Sequence, residues 1–215
     1  MRHAIFWGGT GQSKVLREAL SGTDTTILAI FDNRAITSPF DDVPMFHGEQ
    51  GLLSWRSGSD LIGRVYACVA IGGACGEDRV KLQHWLVTLG YESLTVVHPR
   101  AFVADNAKIG SGCQVLALAA VCAGSILGES VIVNTAASID HDCIIGNGVH
   151  IAPGAKLAGE VVVEDFAFVG TGAVVLPRIR IGTNAIVGAG AVVTKDVAAG
   201  MTVIGNPARK YERTP

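Results

Sequence analysis

Asp140-His141-Asp142 is the triplet with the clearest acid–base potential in the chain. An imidazole between two carboxylates is favoured in its charged form, so its pKa is pushed up. A carboxylate that accepts the Nδ1 proton also fixes the tautomer and leaves Nε2 free to act as a general base. Read alone, the triplet fits an exposed histidine among solvated aspartates equally well. His150, in Val149-His150-Ile151, is the other histidine beyond residue 101. A second kind of chemistry is suggested near the start, where Gly8-Gly9-Thr10-Gly11-Gln12 separates an apolar run from a helical stretch. Backbone N–H groups in such a turn, with the helix dipole behind them, make a seat for phosphate.

The elements that must hold these residues differ between the two halves. In the first half, apolar runs at 4–7, 25–31, 65–71 and 94–97 read as strands, and 13–20 and 78–89 read as helices. Alternating strands and helices imply parallel βα units, with ligands at the carboxyl ends of the strands. Those ends carry Thr10, Gly11 and Gln12 after the first strand, Asp32 and Asn33 after the second, and Gly72 and Gly73 after the third. The dinucleotide fingerprint G-x-G-x-x-G is only partly met, because Lys14 stands at the third glycine position. That argues against a nicotinamide site, although Asp32 sits where an acid could hold a ribose hydroxyl. The alternative is a glycine turn with no ligand. The span 34–62 is poorly patterned.

The second half has a period of six. From Val103 to Val193, sixteen successive positions six residues apart are Val, Ile or Leu. Two residues before most of them stands a small residue, such as Ala101, Cys113, Ala137 or Ala155, and the residue after is often glycine (Gly110, Gly128, Gly146, Gly170, Gly182, Gly188). A six-residue period means a parallel β-helix solenoid, with three short strands to each triangular coil. Stacked ~4.8 Å apart, the coils form a prism on the order of 25 Å long. The glycines are expected at the corners, where φ is positive. With the small residue as place one of each hexad, His141 falls in the fifth place, at an outward corner. His150 falls in the second place, pointing outward on a flat face. Gly159 lies one coil, eighteen residues, beyond His141. Its N–H would suit the oxyanion of a tetrahedral intermediate, a donor typically worth ~3 kcal/mol to a transition state.

Composition narrows the partners. The 215 residues carry a net charge of −2, 49% hydrophobic and 17% charged side chains, which argues against disorder and against a nucleic-acid face. No apolar run reaches the ~18–20 residues of a membrane span. The opening residues 1–7 show neither a long apolar stretch nor a small-residue cleavage site, so a cytoplasmic location is expected. Five cysteines without CxxC spacing (Cys68, Cys75, Cys113, Cys122, Cys143) read as buried, reduced thiols rather than a disulfide or zinc framework.

The hexads, with the tail Ile204-Gly205-Asn206-Pro207-Ala208-Arg209-Lys210, resemble the hexapeptide-repeat acyltransferases. That resemblance implies a left-handed coil and a homotrimer. Both halves together resemble the bacterial sugar acyltransferases with a small Rossmann-like domain (1–98) ahead of a left-handed β-helix (99–215). These include sialic acid O-acetyltransferases and N-acetyltransferases of nucleotide-linked 4-amino sugars. Within the group the chain looks most like the GDP-perosamine N-acetyltransferases, through the opening Phe6-Trp7-Gly8-Gly9-Thr10-Gly11-Gln12. The relatives commonly carry a Gly-x-x-Gly-His turn; here Gln12 stands in the histidine's place.

The resemblance implies acetyl-CoA as co-substrate, His141 as general base, Asp142 as its orienting carboxylate and Gly159 as oxyanion donor. It also implies His150, Gly159, Thr171 and Ala189 along the acetyl-CoA. Thr10, Gly11, Gln12, Asp32, Asn33, Gly73 and Asn134 are the expected substrate contacts. In many hexapeptide proteins an Asn at the position of Asn134 only ladders along the coil. Arg178, Arg180 and Lys195 are candidates for the CoA phosphates, or simply a solvated face. Zinc sites of hexapeptide proteins that resemble the gamma carbonic anhydrases use three histidines, and the repeat here holds two. No metal is therefore expected. O-acetylation of a sugar is the nearest alternative activity. A trimeric nucleotide-binding scaffold without catalysis is the alternative of another class.

Overall fold

A computed structural model describes residues 1–58 and 63–212. The front part is a parallel five-stranded sheet in the order β3-β2-β1-β4-β5. Its strands are β1 (Arg2–Trp7), β2 (Thr25–Asp32), β3 (Met45–His47), β4 (Val65–Val69) and β5 (Glu92–Ser93). Three helices cover it: α1 (Gly11–Ala19), α2 (Gly48–Ser57) and α3 (Gly76–Thr88). β1 is central because its apolar residues 4–7 are all buried, as a strand covered on both faces requires.

Two details depart from the sequence reading. α1 starts at Gly11, so half of the glycine turn is the first turn of the helix, with Thr10 as its cap residue. The poorly patterned stretch holds β3 and α2, whose Leu52 is buried in one core with Phe31 and Trp7. α2 has only a short apolar stripe, which explains why its period was invisible.

The second part is a left-handed parallel β-helix of two-residue strands. They form three ladders, through Gln114–Val115, Ala120–Val121 and Ile126–Leu127 and their equivalents eighteen residues apart. Val96–Val97 already pairs with Gln114–Val115 as the first rung of one ladder. The interior is a single stack of place-three aliphatics and place-one small residues, from Cys113 to Val203. At the open end, Val103 and Ile109 are only partly covered.

The glycines do a different job from the one expected. Positive φ occurs at place six, at Gly112, Gly124, Gly154, Gly172 and Gly190, and at the non-glycine residues Ser130, Ala136, Asp142 and Glu160. The place-four glycines have no positive φ. They are small because adjacent coils touch there: a methyl on Gly170 would lie 2.6 Å from the Val187 carbonyl oxygen. The cysteines also divide. Cys68, Cys113 and Cys143 are buried, but Cys75 is exposed and Cys122 half-buried, and all five are free thiols.

The front part is packed against one flat face of the prism. Val96, Leu116 and Ile132 share a core with Phe6, Leu16, Cys68 and Ala70. On this face the outward-pointing Val96, Gln114, Ile132 and His150 are therefore buried, whereas Phe168 and Ile186 further along it are half-buried.

Candidate active site

Three strand ends, one helix start and one prism face enclose a cavity of about 610 Å³. Thr10, Gly11, Gln12, Asp32, Asn33 and Gly73 all line it, although they come from three separate loops. The order β2-β1-β4 brings those loops side by side at the carboxyl edge of the sheet. Gly8 has φ 113° and lies against Ala70, so the chain can leave β1 directly into the turn.

Asp32 is buried, and its carboxylate is fully engaged. It accepts from the Gly9 N–H at 2.9 Å, the Arg34 N–H at 2.9 Å, and Arg34 Nε and Nη2 at 2.9 and 2.7 Å. The Arg34 guanidinium, with these backbone donors, holds Asp32 down to about 2. Its first duty is thus to shape the loop and anchor Arg34 at the cavity wall.

His150 also lines the cavity. It points out of the prism as expected, but it is not exposed: the front domain leaves it 5% accessible. The Gly73 carbonyl oxygen is 3.1 Å from Nδ1, and Asn134 Nδ2 is 3.0 Å from Nε2. A carbonyl can only accept, so Nδ1 carries the proton and Nε2 accepts from Asn134. The Thr135 N–H donates to Asn134 Oδ1 at 2.8 Å, which fixes the amide the same way round. Asn134 is therefore no simple ladder residue. Burial, with the nearby Arg79 charge, pushes the imidazole down to about 4, so it is neutral at ordinary pH.

His141 has the opposite environment. It stands on an exposed corner, and Asp142 Oδ2 lies 2.9 Å from its Nδ1. Asp140 instead accepts from the backbone N–H of His141 at 2.8 Å. Asp142 owes its position to a left-handed backbone, φ 57°, which Asp tolerates better than most residues. The pKa of His141 is raised, first by the hydrogen bond to Asp142, then by the charges of Asp140, Asp142 and Glu160. Gly159 is buried one coil away, and any side chain there would fall on the ring at Nε2. Among the described residues, no acceptor is paired with the Gly159 N–H. The arrangement supplies a carboxylate-braced base with an unoccupied backbone donor beside it, the parts that acyl transfer needs.

These features have counterparts in known proteins. A family model for the bacterial transferase hexapeptide (six repeats) matches residues 160–195. Among curated protein sequences none matches significantly. Solved structures match over almost the whole chain. PerB from Caulobacter crescentus, in complex with CoA and GDP-perosamine, has TM-score 0.87 and 34% identity, covering 99% of this chain and 98% of that one. The acetyltransferase domain of PglB from Neisseria gonorrhoeae, in complex with acetyl coenzyme A, has TM-score 0.87 and 35% identity, covering 98% and 99%. WeeI from Acinetobacter baumannii has TM-score 0.84 and 30% identity, covering 98% and 100%. The chain belongs to the hexapeptide-repeat, acetyl-CoA-dependent sugar N-acetyltransferases.

In this acetyltransferase, Thr171 and Ala189 are exposed and stack on one another, with the Gly190 N–H donating to the Thr171 carbonyl at 2.8 Å. They lie on the prism edge through Thr135 and Pro153, whereas His141 and Gly159 lie on another. Arg178 pairs with Glu160 and Arg180 with Glu164, so both guanidinium groups have partners in the neighbouring coil. Among the described residues no group of three or more His, Cys, Asp or Glu is placed to hold a metal ion, and no helix is long and apolar enough to cross a membrane.

Sequence reasoning missed Arg79. Its side chain is fully buried between the domains and donates to the carbonyls of Ser130, Ile71 and Gly148 at 2.8, 2.9 and 2.6 Å. Burial lowers it to about 10, so it stays charged. It ties the 71–73 loop of the cavity to the prism. An arginine within an amphipathic helical pattern reads as solvated, and nothing in the sequence marks this one as buried.

Proposed function

We propose that the enzyme transfers the acetyl group of acetyl-CoA to the 4-amino group of a nucleotide-linked 4-amino-4,6-dideoxy sugar, with GDP-perosamine as the first substrate to try. The observation that carries this reading is the single cavity in which Thr10, Gly11, Gln12, Asp32, Asn33 and Gly73 meet His150 of the prism. A nucleotide seated on the glycine turn would thereby have its sugar directed toward the β-helix. PerB, at 34% identity, has been crystallised with GDP-perosamine, which supports the choice of acceptor.

In the proposed reaction His141 Nε2 takes the proton that the sugar amine loses as its nitrogen adds to the thioester carbonyl. The oxyanion accepts from the Gly159 N–H. Collapse breaks the carbon–sulfur bond, and the departing thiolate receives its proton from the imidazolium. Asp142 keeps the proton on Nδ1 throughout. His150, expected along the acetyl-CoA, lines the cavity wall and is neutral, and in this reading it also holds the sugar end of the pocket.

The acetyl-CoA would run between two copies of a homotrimer. Thr171 and Ala189 on one chain would then complete the groove begun by His141 and Gly159 on the next, since one chain places them on different edges.

The test is release of free CoA thiol with a panel of GDP-, UDP- and CMP-linked amino and hydroxy sugars. Turnover confined to a nucleotide-linked amino sugar, and abolished by His141→Asn with an unchanged melting temperature, is the expected result. Turnover with hydroxy sugars alone, or full activity in the variant, would overturn it.

A further inference from the structure

Beside His150, a second hydrogen-bond relay spans the domain boundary and reaches the cavity through Gln12. Gln114 sits on the same outward ladder as Ile132 and His150, and it is 1% accessible. Its Nε2 lies 2.8 Å from the Val69 carbonyl oxygen at the end of β4. Its Oε1 lies 2.7 Å from Gln12 Nε2. Each orientation follows from the one before. The Val69 carbonyl accepts only, so the Gln114 amide must present its nitrogen there and its oxygen to Gln12. Gln12 must then present its nitrogen to Gln114, leaving its own Oε1 on the cavity side. A methyl placed on Gly72 would lie 3.4 Å from that oxygen and 3.6 Å from His150 Cε1, so the glycine keeps open the gap between the two side chains.

We propose that Gln114 is a positioning residue. It keys the Gln12 amide so that the prism end of the cavity offers a hydrogen-bond acceptor, which takes an O–H or N–H group of the bound sugar. This rests on the nucleotide-sugar reading above. A free glutamine amide could turn over and accept or donate. Here an atom with one polarity, the Val69 carbonyl, fixes the choice through two amides.

The experiment is a double-variant cycle between Gln12→Ala and Gln114→Ala, read as KM for the nucleotide sugar. Each single variant is expected to raise this KM about fivefold, the usual worth of one neutral hydrogen bond, with kcat and the KM for acetyl-CoA nearly unchanged. The double variant should be no worse than Gln12→Ala, because Gln114 acts only through Gln12. Gln114→Glu retains the acceptor facing Gln12 but loses the donor to Val69. It should rescue KM even where it lowers the melting temperature, which a purely structural role would not allow. Additive effects in the cycle, or no rescue by Glu, would overturn the proposal. Side-chain amide NMR of the free protein judges the relay without substrate: the Gln12 NH₂ should be protected from exchange and lose protection in Gln114→Leu. An unprotected Gln12 amide in the native protein would refute the keying outright. Failure of the native enzyme to bind any nucleotide sugar would strike the parent reading and the ligand named here, leaving the amide measurement to decide the role of Gln114.

Discussion

Two histidines nine residues apart have opposite titration behaviour, and each predicts a different pH dependence. His141 is useful as a base only when neutral, and its carboxylate neighbours raise its pKa. Activity should therefore rise with pH through a limb above the ordinary histidine value of 6.5. Asp142→Asn removes the largest raising influence, so the limb should move to lower pH while the plateau falls; a kcat/KM pH profile measures both. His150 affects stability instead. Its folded pKa, about 4, lies below the ordinary 6.5, so between these values the unfolded chain binds a proton that the folded one refuses. Its contribution is present above pH 6.5 and is lost as pH falls toward 4, by about 3 kcal/mol in all. His150→Gln should flatten that acid slope in chemical denaturation between pH 7 and 4. At Gly159 the constraint is steric. Gly159→Ala would displace the His141 ring, so turnover should fall by a factor of about 100 (roughly one lost transition-state contact) with little change in melting temperature.

At the level of elements, the junction of α3 with the prism depends on one buried cation. Arg79→Met would leave the Ser130, Ile71 and Gly148 carbonyls without their donor. It should cost on the order of 3 kcal/mol in urea unfolding and weaken nucleotide binding through the 71–73 loop. The same element shows where sequence patterns carry information and where they do not. The six-residue period is written in every coil because each aliphatic meets its own equivalent eighteen residues away. The division of labour between place-four and place-six glycines is not visible, since composition cannot distinguish close approach from positive φ. α2 escaped because Leu52 is its only fully buried large side chain, too little to set a period.

At the scale of the whole molecule, an exposed aliphatic ladder bears on assembly. Ile126 and Ile144 stack on one flat face beside the His141 corner and are 42% and 52% accessible in the single chain. If the groove forms between copies, Ile144→Asp should convert the trimer to a monomer in sedimentation, keep the circular dichroism of the β-helix and lose turnover. A monomeric native protein with full activity would contradict that arrangement.

The solenoid, the alternation of strand and helix outside the 34–62 stretch and the residues of the glycine turn were determined by the sequence alone, because each is a local or strictly periodic requirement on side-chain type. The docking of one domain on one prism face was decided only by tertiary structure. That single contact buries His150, gives Asn134 and Gln114 their partners, and turns Arg79 into an interior cation. These residues look like surface positions in the repeat and in the helix. Their chemistry comes from desolvation and from hydrogen-bond partners 16 to 102 residues away, which no local pattern encodes.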